Sequence, residues 1–385
     1  MTKHRVMHLG LITAVVATGF VAAPSAHADS RLVVRPGESI QEAVDAAEPG
    51  DTVYIAPGTY RESVQISTPG LTLRGAGDRT VIKPAATPSS KTSKSSKTSK
   101  TSKSAKSGKS KSTKAAKAAK RSENACAKAG NGICVTGTEG NRLEGVTLRS
   151  LTVSGFKKNG IWASDTDGLE VRWVTARKSG VWGIAQQKSV RGEFRYNTIS
   201  DSGDSGLFIA NTVDREGGSL DTEGAVVRGN FLTGNRIGVT IRRTRNLAIR
   251  SNILTGNCGG VFVVGDESKP RAGDLTIRDN NISRNNKYCP GNSRLPYIQG
   301  SGIVLTGAED TLIRGNLIRD NVGESPLSGG VVLFRSFVGA VNNRNVVKYN
   351  VALNNEPADL VDGDKGEGNK FVRNLCGVSK PAGSC

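Results

Sequence analysis

The chain has 385 residues, with 53 Lys and Arg against 34 Asp and Glu, and a formal charge of +19. Its three histidines, His4, His8 and His27, all lie in the first 28 residues. The rest of the chain therefore has no imidazole to activate a nucleophile, serve as acid or base, or hold a metal.

Residues 1–28 read as an export signal. Lys3 and Arg5 give a basic start, Leu9 to Ala23 is apolar, and Ala26-His27-Ala28 is a small-residue cleavage site. Nothing later approaches ~18 consecutive apolar residues, so the mature chain is expected to lack a transmembrane segment. The expectation is a secreted, extracellular protein beginning near Asp29.

Charge is unevenly placed. Residues 1–28 carry +2, and residues 85–125 carry +11 from eleven Lys, Arg121 and Glu123, which leaves +6 for the remainder. Within 85–125, Lys recurs every third residue from Lys91 to Lys109. Such a stretch has no apolar face to bury, so it is expected to be a disordered basic insertion. About 38 residues of flexible chain would span roughly 34 Å. It is either a tolerated insertion or an arm for a polyanion such as an anionic cell-wall polymer. Without interleaved aromatics it offers bases no stacking platform, so no specific nucleic acid is expected.

Beyond it the chain repeats. VVRGNFLTGN at 226–235 and AIRSNILTGN at 248–257 stand 22 residues apart. Equivalent basic residues occur at Arg149, Arg172, Arg195, Arg228, Arg250, Arg278, Arg314 and Lys348, at intervals of 22 to 36. Arg74, in LTLRGAG, is one more copy. Each unit holds three short strands: one ends at the Arg, one follows an Asn two places later, and one begins with Gly, as in GIWA, GLFI and GVFV. Some 22 residues with three strands form one turn of a β-solenoid, which advances by ~4.8 Å. The column Asn197, Asn230, Asn252, Asn280, Asn316 and Asn350 fits a bend with amides bonded from turn to turn.

Six cysteines remain after cleavage, and an even count in an exported chain suggests disulfides. Fifteen pairings are open. Order along the chain favours Cys126–Cys134, Cys258–Cys289 and Cys376–Cys385. Zinc is the alternative, but no CxxC pair exists.

On these repeats, and on SIQEAVDAAEPGDTVYIAPGTYRESVQI at 39–66, the chain resembles the pectin-lyase-like right-handed parallel β-helix family. The resemblance implies an all-β fold, a single right-handed parallel β-helix with an N-terminal cap helix. Ile40, Ala43, Val44 and Ala47 recur at helical spacing behind Ser39, a fitting N-cap. Residues 29–84 would form the cap helix and first turn, 126–376 the repeats, and 377–385 a C-terminal cap or tail.

Family members often cleave or epimerise polysaccharides in a groove along one sheet. The Gly-initiated strand most resembles that sheet. Its outward positions read Trp162, Ala185, Phe208, Thr240, Phe262, Val304 and Val332, then Ser164, Gln187, Ala210, Arg242, Val264, Thr306 and Phe334. No carboxylate appears, which departs from a calcium-dependent lyase. Trp162, Phe208 and Phe262 could stack on sugars, or loops could fold over them as a second core. The Arg column, notably Arg228, Arg250, Arg278 and Arg314, is either a solvated face or a stripe that reads an acidic polymer.

The leading expectation is a carbohydrate-binding module, for an anionic polysaccharide. One alternative is a lyase that uses calcium on Asp214, Glu216, Asp221 and Glu223 in the loop 211–224, with Arg242 or Arg243 as base and Asp214 nearby. The other is a structural or adhesive wall protein held by the Lys-rich arm.

Overall fold

The computed structural model describes residues 31–85, 124–213, 217–293 and 295–385. The export signal, nearly all of the Lys-rich insertion, and Asp214 and Glu216 lie outside them.

Three long parallel sheets run the length of the molecule, of twelve, eleven and eleven strands, and consecutive turns are always neighbours. The first sheet contains the strands that end at the Arg column, such as Glu170–Arg172 and Glu193–Arg195. The second contains the short strands after the Asn, such as Phe231–Thr233. The third contains the Gly-initiated strands, such as Ser205–Ala210 and Gly259–Val264. The fold is a right-handed parallel β-helix.

One inward column shows why the sequence closes this way. Val53, Leu73, Leu148, Val171, Phe194, Val227, Ile249, Ile277, Ile313 and Val347 are paired in register over ten turns, and every one is fully buried. Each such side chain gains about 1.5–3 kcal/mol on leaving water. A one-residue slip would turn the whole column outward, so the alternation fixes the register.

Both corners next to the second sheet use one device. A residue in the left-handed conformation is followed by a buried Asn. In VVRGNFLTGN, Gly229 (φ 66°) precedes Asn230 and Gly234 (φ 70°) precedes Asn235. At the first corner, Asn197, Asn230, Asn252, Asn280, Asn316, Asn350 and Asn374 form a ladder, each Nδ2 donating to the next Oδ1 at 2.9–3.0 Å. A second ladder at the other corner joins Asn235, Asn257, Asn285, Asn321 and Asn355. It ends on buried Asp359, which accepts from Asn355 Nδ2 at 2.9 Å. Only the first ladder was legible as a column. The Asn that closes each LTGN was the signal for the second.

A helix at Ile40–Asp45 packs against the first strands and places Ile40 and Val44 in the main core. Ser39 caps it, and Glu62 adds a carboxylate that accepts from Ile40 N at 2.9 Å and Gln41 N at 3.2 Å. The three disulfides are Cys126–Cys134, Cys258–Cys289 and Cys376–Cys385. Two boundaries differ from expectation. Ala125–Lys128 is a short helix, so the repeats resume at Ile133–Thr136 rather than at residue 126. Residues 377–385 contribute a strand, Ser379–Lys380, paired in the third sheet with Leu360–Asp362.

Candidate functional site

Two outer faces carry the side chains singled out in the sequence. The first is the outside of the third sheet. Its register matches the expected column: Trp162, Ala185, Phe208, Thr240, Phe262, Val304 and Val332 are successive partners. The column is nevertheless not an open platform. Phe208 is 5% exposed and Phe262 1%. Loops fold over them in two clusters outside the barrel. One holds Phe262 with Ile298, Leu327 and the Cys258–Cys289 disulfide, and the other holds Phe208 with Trp182 and Ala185.

Trp162 and Phe208 are bridged by Trp182, which comes from the bend just before a Gly-initiated strand. The ring centroids lie 5.9 Å (Trp162–Trp182) and 4.3 Å (Trp182–Phe208) apart, nearly parallel. Trp182 Nε1 donates to Asp204 Oδ2 at 3.2 Å. Column reasoning missed Trp182 because it sits outside the strand period.

Above this layer is a cleft of about 570 Å3, lined by Phe208, Phe262, Arg242, Asp204, Asp266 and Phe337 among others. The loops thus bring two carboxylates that the strand columns lack. Asp266 is held by a buried ion pair with Arg243 Nε, and it accepts from Ser268 N at 2.9 Å. Arg242 Nη1 donates to Val213 O at 3.0 Å. The expected calcium ligands do not assemble here from the described residues. Asp221 accepts from Asn246 Nδ2 at 2.8 Å, and Glu223 pairs with Arg191; neither lines the cleft. Arg243, the other expected base, is paired with Asp266 of the next loop. Among the described residues no group of three His, Cys, Asp or Glu could hold a metal.

The second face is the outside of the first sheet. Arg74, Arg149, Arg172, Arg195, Arg228, Arg250, Arg278, Arg314 and Lys348 are paired rung by rung without interruption. Nine basic residues at ~4.8 Å spacing extend about 38 Å. Adjacent unit charges at that spacing repel by roughly 1 kcal/mol in water and about 3 kcal/mol at an effective dielectric of 20. Glu170 lies 3.4 Å from Arg172, Glu193 2.5 Å from Arg195, and Asp279 contacts Arg278. Among the described residues no carboxylate lies within ion-pair distance of Arg228, Arg250 or Arg314. Desolvation, then repulsion from Arg228, Arg278 and Arg195, pushes the Arg250 pKa down. Desolvation and the neighbours Arg74 and Arg172 do the same at Arg149.

At the corner beside this row the left-handed position is filled in two successive turns by aromatics, Trp173 (φ 52°) and Tyr196 (φ 56°). They are 51% and 45% exposed. Their rings stack with centroids 6.3 Å apart and planes 14° apart. The Arg172 guanidinium lies 4.9 Å from the Trp173 ring, and that of Arg228 lies 5.9 Å from the Tyr196 ring.

Two family models match the chain: the right handed beta helix region over residues 114–273, and the periplasmic copper-binding protein (NosD) over residues 213–377. The chain has the right-handed parallel β-helix fold. Solved structures carry the same fold at low identity. The A-module of the Azotobacter vinelandii mannuronan C-5 epimerase AlgE4 aligns over 88% of both chains, with TM-score 0.51 and 17% identity. A double mutant of the periplasmic alginate epimerase AlgG aligns over 90% of this chain and 73% of its own, with TM-score 0.55 and 12% identity. No curated protein sequence matches the chain.

Proposed function

We propose that this β-helix is a secreted or periplasmic protein that binds an acidic polysaccharide along the basic row of the first sheet. The observation that carries the reading is the uninterrupted ladder from Arg74 to Lys348, with no carboxylate among the described residues within ion-pair distance of Arg228, Arg250 or Arg314. A row of cations at one per turn is complementary to a stiff polymer with one carboxylate per sugar ring, whose charges repeat at a spacing of the same order. Guanidinium forks suit carboxylates in particular. The epimerases that share the fold are named for uronate polymers, which is consistent with this polymer class.

Catalysis has less support. Arg243 and Asp266 neutralise one another in a buried pair, and no histidine follows residue 27. Copper, named in the NosD family, does not fit the donors present. Copper favours imidazole and sulfur ligands. The described residues contain no His or Met, and all six cysteines are in disulfides. The Lys-rich segment 85–125 would add a second, less specific contact to anionic wall polymers.

The test is affinity electrophoresis in gels containing alginate or a neutral glucan, at increasing salt. Retention by alginate alone, lost at high salt and weakened in an Arg228→Gln/Arg250→Gln/Arg314→Gln variant, is the expected result. Absence of retention at low salt would refute it. Parallel incubations with calcium or with chelator, monitored for unsaturated sugar ends, address the lyase alternative. Calcium-dependent product would replace binding with catalysis. Deletion of 88–120 tests the adhesive alternative: unchanged retention on cell walls removes it.

A further inference from the structure

Trp173 and Tyr196 occupy a corner position that in other turns is Ser150, Gly229, Ser251, Asp279, Gly315, Tyr349 or Arg373. Small and polar residues suit the left-handed conformation, whereas bulky ones there are outliers. Two large rings are held in this conformation on adjacent turns, half exposed and parallel. Tyr196 lies flat because the next turn has Gly229 below it: a side chain at 229 would meet the Tyr196 ring at 2.6 Å. The platform is therefore preformed, with guanidinium groups of Arg172 and Arg228 against its rings.

The bare cation row accepts any polyanion. The rings add a demand of a different kind, because flat apolar faces stack on the C–H faces of pyranose rings and exposed aromatic patches mark binding sites. We propose that Trp173 and Tyr196 form a sugar-stacking subsite that selects acidic saccharides over other polyanions. The ring faces would hold a pyranose, and Arg228, which has no ion-pair partner among the described residues, would take its carboxylate. This proposal rests on the ladder being the binding face, and it assigns the specificity of that face.

The experiment is isothermal titration of the full chain with two probes, an oligouronate and inorganic polyphosphate. In a Trp173→Ala/Tyr196→Ala variant, affinity for the oligouronate is expected to fall about tenfold or more, equivalent to ~1.4 kcal/mol, with polyphosphate affinity unchanged. In Arg228→Gln/Arg250→Gln, both affinities fall. Both rings are on the surface, and an unchanged melting temperature checks that the variants fold. Gly229→Ala supplies a second variant, which displaces the Tyr196 ring without deleting it and should weaken only the oligouronate. Equal losses for both probes, or none for the oligouronate, would overturn the subsite and leave the ladder standing. Tight wild-type binding of the oligouronate that ignores the Arg variants but depends on the rings would overturn the ladder and the carboxylate role of Arg228, and leave only stacking on the rings. Failure of wild-type protein to bind either probe would overturn both.

Discussion

Asn252 sits mid-ladder and offers the sharpest test of what holds the solenoid turns together. Its Nδ2 donates to Asn280 Oδ1 at 2.9 Å and to Val227 O at 3.0 Å. Its Oδ1 accepts from Asn230 N and Asn230 Nδ2, both at 2.9 Å. Asn252→Ala removes these four bonds in a site that is 1% exposed. Asn230 Nδ2 keeps Phe194 O, but the Asn230 backbone N–H loses its ladder partner. A stranded buried donor costs about 1–3 kcal/mol, and each ordinary bond lost contributes about 1 kcal/mol net. The expected loss is therefore about 3–5 kcal/mol. Urea unfolding followed by far-ultraviolet circular dichroism measures it, with exposed Asn141→Ala as control, expected within about 0.5 kcal/mol of wild type. Solenoid stability is a sum of local and neighbour terms, so transition slopes must be compared along with midpoints. Asn252→Asp sharpens the test. It keeps the acceptor for Asn230 but cannot donate, and it sets one oxygen against Asn280 Oδ1, so it should be no more stable than the Ala variant near neutral pH. A loss below about 1 kcal/mol for Asn252→Ala would refute the view that buried amides, and not the apolar columns alone, set the corner.

Trp182→Ala empties the centre of the aromatic stack outside the third sheet and should cost about 3–5 kcal/mol by denaturant unfolding. Trp182→Phe, which keeps a ring between Trp162 and Phe208, should recover most of it, and equal losses would argue against stacking. Opening the Cys258–Cys289 link, which closes 31 residues, should destabilise by about 3–4 kcal/mol in a Cys258→Ala/Cys289→Ala variant; an unchanged melting temperature would oppose this. Asp362 has its pKa raised, first by burial and then by Asp364, and its Oδ1 has no hydrogen-bond partner. The folded state thus holds its proton at a pH where the unfolded state has released it. Stability contributed by this group should fall as pH rises from about the ordinary carboxylate value through the raised one. Asp362→Asn should flatten that slope in melts from pH 3.5 to 7 and be the more stable protein at the upper end. Identical pH profiles would contradict the assignment.

Architecture was legible because a solenoid writes itself into sequence locally. The basic residue, the Asn two places on and the inward apolar position each repeat once per turn. In-register stacking then makes every column of the sequence a column in space. That logic located the inward core, the first Asn ladder, the Arg row and the register of the third sheet. It was silent on what breaks the period. Trp182 lies off the strand columns, so its place between Trp162 and Phe208 depends on the path of a bend. The burial of Phe208 and Phe262 depends on loops whose packing no period specifies. Asp266 reaches Arg243 only because the following turn brings its loop alongside. Trp173 and Tyr196 lie one residue beyond the Arg and passed as ordinary corner residues. Their left-handed backbone, shared plane and exposure exist only once adjacent turns are stacked. The sequence by itself determined the repeat, its three sheets and the basic row, since each follows from local periodicity. Which outward rings are covered and which remain open was decided by tertiary structure alone, because exposure is a property of the chain segments that pass over a residue and not of its position in the repeat.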